Sequence, residues 1–168
     1  QRQMCIRDRF NGEDEDWLLK IAACLEEHFP HSMARAVVEA AKNKGIEHSE
    51  MHSKVEYIVA HGIASAIGDK RVVIGSAHFV FEDEKASIPE DKKALYEELP
   101  LEYSHLYLAI DGVLAAVICI EDPVRDEAVK VIRQLKAAGI SKVVMMTGDS
   151  ERTAAAIAKK VGVDEYYS

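Results

Sequence analysis

The first third of the chain carries two amphipathic helical patterns. Apolar residues recur at helical spacing over residues 17–25, after a run of acidic residues that suits a helix N-terminus. A second helical stripe covers residues 33–41 and is predicted to end near Gly45, because glycine is typical of helix C-termini. The connection at 27–32 contains a proline. We therefore predict a pair of helices joined by a short turn.

The middle of the chain changes to strand patterns. Five stretches are rich in apolar residues that alternate or form short runs. They are residues 55–59, 63–67, 72–74, 106–110 and 113–120. Gly68-Asp69-Lys70 joins one pair, and Asp111-Gly112, one of the strongest hairpin signals, joins another. The pattern predicts an antiparallel sheet.

After residue 121 the pattern becomes helix, strand, helix. Residues 128–135 form an amphipathic stripe, residues 142–146 a short apolar strand, and residues 151–161 a helix. Ser150 is predicted to cap that last helix and Gly162 to end it. A short apolar strand between helices is typical of a parallel sheet, and only one such strand is evident. We expect an α/β unit that is cut short.

These changes of pattern divide the chain into three parts. Residues 1–10 show neither a helical nor a strand periodicity of apolar residues, and we expect them to be a leader or scar outside the fold. Residues 11–120 are predicted to form an α+β domain, an antiparallel sheet flanked by helices, and residues 121–168 a truncated α/β domain. The acidic stretch 82–102 is expected to be a solvated connection, with a short helix from Pro89.

Composition narrows the class of protein. The 168 residues are 48% hydrophobic and 30% charged, which indicates a globular protein with a packed core. A net charge of −8 argues against a nucleic-acid backbone or an anionic lipid surface as partner. No apolar run approaches the roughly 18 residues of a membrane helix, so we expect no direct membrane insertion. The three cysteines are widely spaced, which predicts no disulfide framework.

The segment Thr147-Gly148-Asp149-Ser150 is the strongest local candidate for chemistry. A loop between a strand end and a helix N-terminus offers free backbone N–H groups and a positive dipole end, which suit a phosphoryl group. Thr147 adds a hydroxyl, and Asp149 adds a carboxylate that could orient a metal-bound water or a partner loop. The alternative is a plain strand-to-helix turn with Ser150 as the N-cap.

A second candidate combines His31, at the helix connection, with Gly62 and Gly75-Ser76. A histidine ring together with glycines that expose backbone could hold an adenine by stacking and hydrogen bonding. The alternative is a surface or capping histidine with no ligand.

Asp122-Pro123 lies where the two patterns meet. A proline presets its own φ and restricts the residue before it, which is enough to explain a rigid turn before a helix. The functional interpretation of the same dipeptide is a hinge between two domains.

Taken in order, these segments resemble the nucleotide-binding and phosphorylation domains of heavy-metal (P1B-like) P-type ATPases. Residues 25–37 are similar to the family's Ser-Glu-His-Pro-Leu-Ala segment, with His31 at its histidine. Four further segments match family motifs. Residues 60–63 match the Gly-x-Gly positions, and Gly75-Ser76 matches Gly-Asn. Asp122-Pro123 matches the Asp-Pro hinge, and residues 147–150 match Thr-Gly-Asp-Asn of the haloacid dehalogenase-like domain.

The resemblance implies a role for each matched residue. It places four residues at bound ATP, namely His31, Gly62, Gly75 and Ser76. Thr147 would contact the transferred phosphoryl group, and Asp149 would lie at the phosphorylation site and at an interdomain contact. Asp122 and Pro123 would form the hinge. It implies a cytoplasmic domain of an integral membrane protein, with the transmembrane and actuator domains of the same polypeptide as partners. Mg²⁺ is implied as cofactor, with its site mostly outside these residues.

The chain also departs from the family pattern. Ser76 and Ser150 each replace an asparagine, and Ser32 replaces a proline. The Asp-Lys-Thr-Gly-Thr segment with the phosphorylated aspartate and the Gly-Asp-Gly magnesium segment are absent. We therefore expect part of a larger pump that couples ATP hydrolysis to heavy-metal transport, a part that binds ATP and does not itself form the aspartyl-phosphate.

Two other functions compete with this one. A free-standing haloacid dehalogenase-like phosphatase with a cap domain would need Asp-x-Asp at the end of an apolar strand, whereas Asp14-Glu15-Asp16 stands among polar residues before a helix. A non-catalytic domain that keeps only the scaffold is the third possibility. No bound metal is expected from His48 and His52 or from His28 and His31, because no thiolate or third ligand stands nearby.

Overall fold

A computed structural model of the chain contains two compact units. The larger unit comprises residues 3–99 and 105–120, and the smaller comprises residues 100–104 and 121–168. The structure describes residues 3–28, 32–47, 56–58, 62–100, 103–121, 124–148 and 150–168. None of the helices within those ranges is long and apolar enough to span a membrane.

The larger unit is built on a six-stranded sheet. Its strands are β1 (Gln3–Arg9), β2 (Glu56–Ile58), β3 (Gly62–Ile67), β4 (Lys70–Gly75), β5 (Ser104–Ile110) and β6 (Val113–Glu121). They lie in the order β1-β6-β5-β4-β3-β2, and β2 to β5 pair antiparallel. Gly68, Asp111 and Gly112 have positive φ, as tight hairpin turns require. Both predicted hairpins are therefore confirmed.

Two helices cover one face of this sheet. They are α1 (Glu15–Glu26) and α2 (Ser32–Asn43), close to the predicted bounds. The Asp14 carboxylate caps α1 by accepting hydrogen bonds from the backbone N–H of Asp16 and Trp17. The helices bury their apolar stripe against alternate residues of the strands, and each fully buried Leu or Ile contributes about 1.5–3 kcal/mol. Members of this core include Leu18, Ile21, Leu25, Val37, Ile63, Ile74, Leu108 and Ile118.

The other face of the sheet is covered by the segment that follows β4. It contains a π-helical turn (His78–Asp83), a 3₁₀ turn (Glu90–Lys92) and α3 (Lys93–Glu97). The predicted short helix after Pro89 is present. The expectation that 82–102 is a solvated connection is wrong at Ala86 and Leu99, which are buried, and the residues just before it, Phe79 and Val80, are buried as well. Their scattered spacing matches neither a helix nor a strand period, so the pattern gave no signal.

The smaller unit contains α4 (Glu127–Ala137), β7 (Val144–Met146), α5 (Glu151–Val161) and β8 (Glu165–Tyr167). Strand β8 pairs parallel with β7, so the expectation of a single strand is wrong. Three residues are too few to show a period, which is why the pattern missed β8. Both predicted ends of α5, the Ser150 cap and the left-handed Gly162, are confirmed. The predicted fold class, α+β followed by α/β, is confirmed as well.

Strand β1 is a second element that the pattern did not predict. We expected residues 1–10 to stand outside the fold, whereas β1 lies beside β6 at the edge of the sheet. An edge strand can be held by backbone hydrogen bonds to its one neighbour, which require no alternation of apolar side chains. The interpretation of this segment as a leader concerns its origin and stays a prediction.

A carboxylate at the start of β8 joins the elements of the smaller unit. Asp164 Oδ1 accepts a 2.6 Å hydrogen bond from Lys136 Nζ, and Asp164 Oδ2 accepts a 2.8 Å hydrogen bond from the backbone N–H of Val143. The same Lys136 ammonium donates to the carbonyl of Gly162 at 3.0 Å. The hydrogen bond from Lys136, reinforced by that from Val143, holds the pKa of the Asp164 carboxyl below its usual value.

This network predicts acid sensitivity of the smaller unit. A carboxyl whose pKa is lowered by folding contributes its full stability above its unfolded pKa, about 3.9 for Asp, and loses it as the pH falls through the lowered folded value. We expect Asp164→Asn to speed amide exchange in β7 at neutral pH and to flatten the acid dependence of that exchange. The measurement is hydrogen exchange followed by NMR from neutral to acid pH.

Asp126→Asn is the matched control, because Asp126 precedes α4 without capping it through its side chain. It removes the same charge and should leave β7 exchange close to wild type. Equal effects of the two variants would contradict a role for the Asp164 hydrogen bonds.

Candidate functional site

Two of the predicted site glycines meet at one end of the larger sheet. In the β3–β4 register Gly62 stands opposite Gly75, and in the β4–β5 register Gly75 stands opposite Tyr107. Gly75 is buried and Gly62 half-buried. The chain separates these glycines by twelve residues with a hairpin between them, so their juxtaposition follows from the Gly68 turn and the register that it sets.

The space on one side of Gly62 is filled by an aromatic ring. A Cβ at this position would lie 2.3 Å from Phe79 Cδ1 and 2.6 Å from the carbonyl oxygen of Ile74. Real Cβ atoms do not approach other atoms so closely, so only glycine fits here. The residue type at 62 is thus explained by a contact within the protein.

Ser76 fixes the segment that carries this ring. Its Oγ accepts a 3.3 Å hydrogen bond from the backbone N–H of Phe79, and its carbonyl accepts a 3.0 Å hydrogen bond from the N–H of Val80. A side-chain oxygen that accepts from the chain just ahead is a role that asparagine fills as readily as serine. The replacement of the family's asparagine by Ser76 therefore preserves this local turn.

Glu26 is a candidate residue that sequence reasoning missed. It is the last residue of α1 and is 2% exposed, a rare state for a carboxylate because burying its charge is costly. The available signal was its place on the apolar stripe, four residues after Ala22 and eight after Leu18. It precedes His31 by five positions.

In the smaller unit Thr147 and its loop leave the end of β7. The backbone N–H of Thr147 donates to the Tyr167 carbonyl at 3.0 Å, which extends the pairing of β7 with β8. A Cβ at Gly148 would meet nothing within 4 Å, so packing does not demand glycine there. Ser150 Oγ accepts from the backbone N–H of Thr153 at 3.3 Å, as an N-cap does. β7 ends directly before Thr147 and α5 begins after its Ser150 cap, so the described residues supply both flanks of a strand-to-helix connection, a setting that suits an anion.

Four of the predicted site residues lie outside the described residues. They are His31, Asp122, Pro123 and Asp149. Their assigned roles stay predictions, as does the assessment of His48 and His52 as metal ligands. Within the part of the chain that the structure describes, no three His, Cys, Asp or Glu side chains cluster as metal ligands would.

Comparison with known proteins agrees with the resemblance seen in the sequence. The model of the haloacid dehalogenase-like hydrolase family matches residues 8–168. Copper-transporting ATPase 2 of Rhizobium meliloti (strain 1021) is 35% identical over 158 residues, which cover 92% of this chain and 18% of that protein. The chain spans about a fifth of the length of the curated relatives it matches.

Solved structures give the same result for the fold. A zinc-transporting PIB-type ATPase in its E2.Pi state matches 99% of this chain and 26% of that chain, with a TM-score of 0.66 and 27% identity. The N-domain of a copper-transporting P-type ATPase matches 71% of this chain and 98% of that domain, with a TM-score of 0.54 and 23% identity. At that identity the second match supports the fold alone.

The sheet with its glycine pair, the strand-to-helix loop after β7 and these comparisons lead to one conclusion. The chain belongs to the haloacid dehalogenase-like hydrolase family, and its relatives are the heavy-metal P-type ATPases that the sequence motifs indicated.

Proposed function

We propose that this chain is the ATP-binding part of a heavy-metal P-type ATPase. The observation that carries the proposal is the pairing of Gly62 with Gly75 at one end of the sheet, with Ser76 next to it. By resemblance these residues match the family's nucleotide positions, and the hairpin brings Gly62 beside Gly75 although twelve residues separate the two glycines in the chain. The larger unit would be the nucleotide-binding domain, and the smaller unit part of the phosphorylation domain.

The nucleotide-binding role can be assigned to particular chemical groups. The backbone at Gly62 and Gly75 would offer hydrogen-bonding groups to adenosine on the side that the Phe79 ring does not cover. The Glu26 carboxylate can accept a hydrogen bond from the exocyclic amino group of adenine, which would offset its desolvation. His31 would stack on the base or bind its edge. All three features belong to the larger unit or to the connection between its helices.

The phosphoryl-transfer role falls to the smaller unit. The Thr147 hydroxyl and the N-terminus of α5 suit a phosphoryl group, because the helix dipole and free N–H groups favour negative charge. Asp149 would contribute a carboxylate near it, and Asp122 and Pro123 would form the hinge. In the whole pump an aspartyl-phosphate would separate phosphoryl transfer from ATP and hydrolysis of the phosphoenzyme into two steps. The pump would change between two conformations as it passes from one step to the other. Mg²⁺ would accompany the transferred phosphoryl group, at a site mostly outside these residues.

The transported ion would be a heavy-metal cation. The relatives are named for copper in one case and zinc in another, which supports the class of ion. The chain would then lie on the cytoplasmic side of the membrane and act with the transmembrane and actuator domains of its own polypeptide.

The phosphatase alternative is not favoured. Its only Asp-x-Asp candidate begins with Asp14, whose carboxylate accepts hydrogen bonds from two backbone N–H groups at the start of α1. A nucleophilic aspartate of this class would stand at the end of a strand. Asp14 is instead an N-cap, whose role is structural.

ATP binding is tested by an amide NMR titration of the chain with ATP, with and without Mg²⁺. We expect shifts to concentrate around Gly62, Gly75 and Ser76, because these residues line the proposed site. His31→Ala should remove or strongly weaken the response. A well-dispersed spectrum that does not move with ATP would overturn the proposed function.

His28→Ala is the control for that variant, because it removes an exposed imidazole from the same connection. It should leave the titration close to wild type. If both histidine variants weaken binding equally, the effect belongs to the connection as a whole and the assignment of His31 is wrong.

Phosphoryl transfer to this chain alone is expected to fail. The chain contains no Asp-Lys-Thr-Gly-Thr segment, so it lacks the carboxylate on which the family forms its acyl-phosphate. Incubation with γ-labelled ATP followed by acid precipitation should leave no label on the protein. Acid-stable label that hydroxylamine removes would contradict this expectation.

A further inference from the structure

The ring of Phe79 touches the backbone at the glycine pair from outside the proposed nucleotide site. We propose that Phe79 is a positioning residue for nucleotide binding, whose ring fixes the backbone of the Gly62–Gly75 pair. This inference rests on the proposed function. It also gives a different reason why residue 62 is glycine. The Phe79 ring, rather than a nucleotide, occupies the space that a side chain at position 62 would need.

The contact between Phe79 and Gly62 is tight. A Cβ on Gly62 would stand 2.3 Å from Phe79 Cδ1 and 2.6 Å from Cε1, so the ring edge occupies the position of a side chain. The ring is completely buried. A buried ring against a backbone atom leaves little room for that backbone to shift, because protein interiors are close-packed.

The segment that carries the ring is fastened to β4 at both ends. At its start Ser76, the residue after Gly75, accepts the hydrogen bond from the Phe79 N–H. At its end Glu84 Oε2 accepts a 3.2 Å hydrogen bond from Arg71 Nε, and Glu84 Oε1 accepts a 2.9 Å hydrogen bond from Arg71 Nη2. A bidentate pair of this kind fixes orientation as well as distance.

The turn between these two fastenings is unusual. Residues His78–Asp83 form a π-helical turn, and the Glu84 N–H donates to the Phe79 carbonyl at 2.9 Å. Such turns are rare and are found frequently at functional sites. Here the turn places Phe79 on β3 although the segment itself follows β4.

The consequence for a nucleotide is geometric. The Phe79 side of Gly62 is closed, so a nucleotide that contacts this backbone must approach from another side. A backbone that is free to shift must be ordered on binding, which costs affinity. Removing the ring should therefore weaken ATP binding even where the fold survives.

Phe81 provides a matched control within the same turn. Its ring packs against Tyr96 and Tyr107, with centroid distances of 5.7 Å and 5.3 Å. The atoms nearest to a Cβ at Gly62 belong to Phe79 and Ile74 instead. Phe81→Leu thus makes the same chemical change as Phe79→Leu and leaves the ring at Gly62 in place.

The experiment measures ATP dissociation constants from the NMR signals of folded protein, together with melting temperatures, for wild type, Phe79→Leu and Phe81→Leu. We expect both variants to melt earlier, because each loses packed aromatic surface. ATP binding should weaken about tenfold or more in Phe79→Leu, and by less than about twofold in Phe81→Leu. Without nucleotide, the amide signal of Gly62 should move in Phe79→Leu and stay in Phe81→Leu, because the ring at Gly62 belongs to Phe79.

Other outcomes separate this inference from the proposed function. The role of Phe79 is wrong if folded Phe79→Leu binds ATP with wild-type affinity, or if both variants weaken ATP binding equally. The proposal that the chain binds ATP is unaffected by either result. Failure of the wild type to bind ATP would overturn both. If Phe79→Leu does not fold, Phe79→Met carries the same test, because methionine fills the volume with a flexible chain and no planar ring.

Discussion

The close approach of Phe79 to Gly62 is the constraint on which the larger unit depends at the end of its sheet where the glycines pair. It joins three elements that the chain order keeps apart, namely β3, β4 and the turn that follows β4. The opposite face of the same sheet is fixed by the two helices and their apolar stripe. Under the proposed function, a backbone held by a buried ring would be ordered before a ligand arrives, which would lower the entropic cost of binding.

The two units are stabilised in different ways. The larger unit buries long runs of apolar residues, including nearly all of β6. In the smaller unit α4 has no buried residue, and its elements are joined by charged hydrogen bonds such as Lys136–Asp164 and Tyr166–Glu151. The hydrogen bond from Tyr166 lowers the pKa of the Glu151 carboxyl and raises that of the Tyr166 hydroxyl. Such contacts stabilise the smaller unit where few apolar residues are buried. The stability of this unit therefore depends on the charge states of these side chains.

Local chemistry accounts for the parts of the fold that were predicted correctly. Asp111-Gly112 and Gly68 specify hairpins through their backbone preferences, and Ser150 and Gly162 mark both ends of α5. The missed elements depend on distant partners. Strand β1 is held by its neighbour β6, β8 is held by β7, and the π-helical turn is held by the Arg71–Glu84 pair. A local hydrophobic period does not report contacts of this kind, because their partners lie on other elements.

The candidate site was predictable to a similar degree. Order and motif predicted Gly62, Gly75 and Ser76 as site residues, but the register that pairs the glycines and the ring behind them required the structure. The most direct test of this account is a crystal structure of the chain with a non-hydrolysable ATP analogue. The account predicts adenosine against the Gly62–Gly75 backbone with the Phe79 ring still in place. Adenosine bound elsewhere, or bound on the Phe79 side after the ring has moved away, would contradict it.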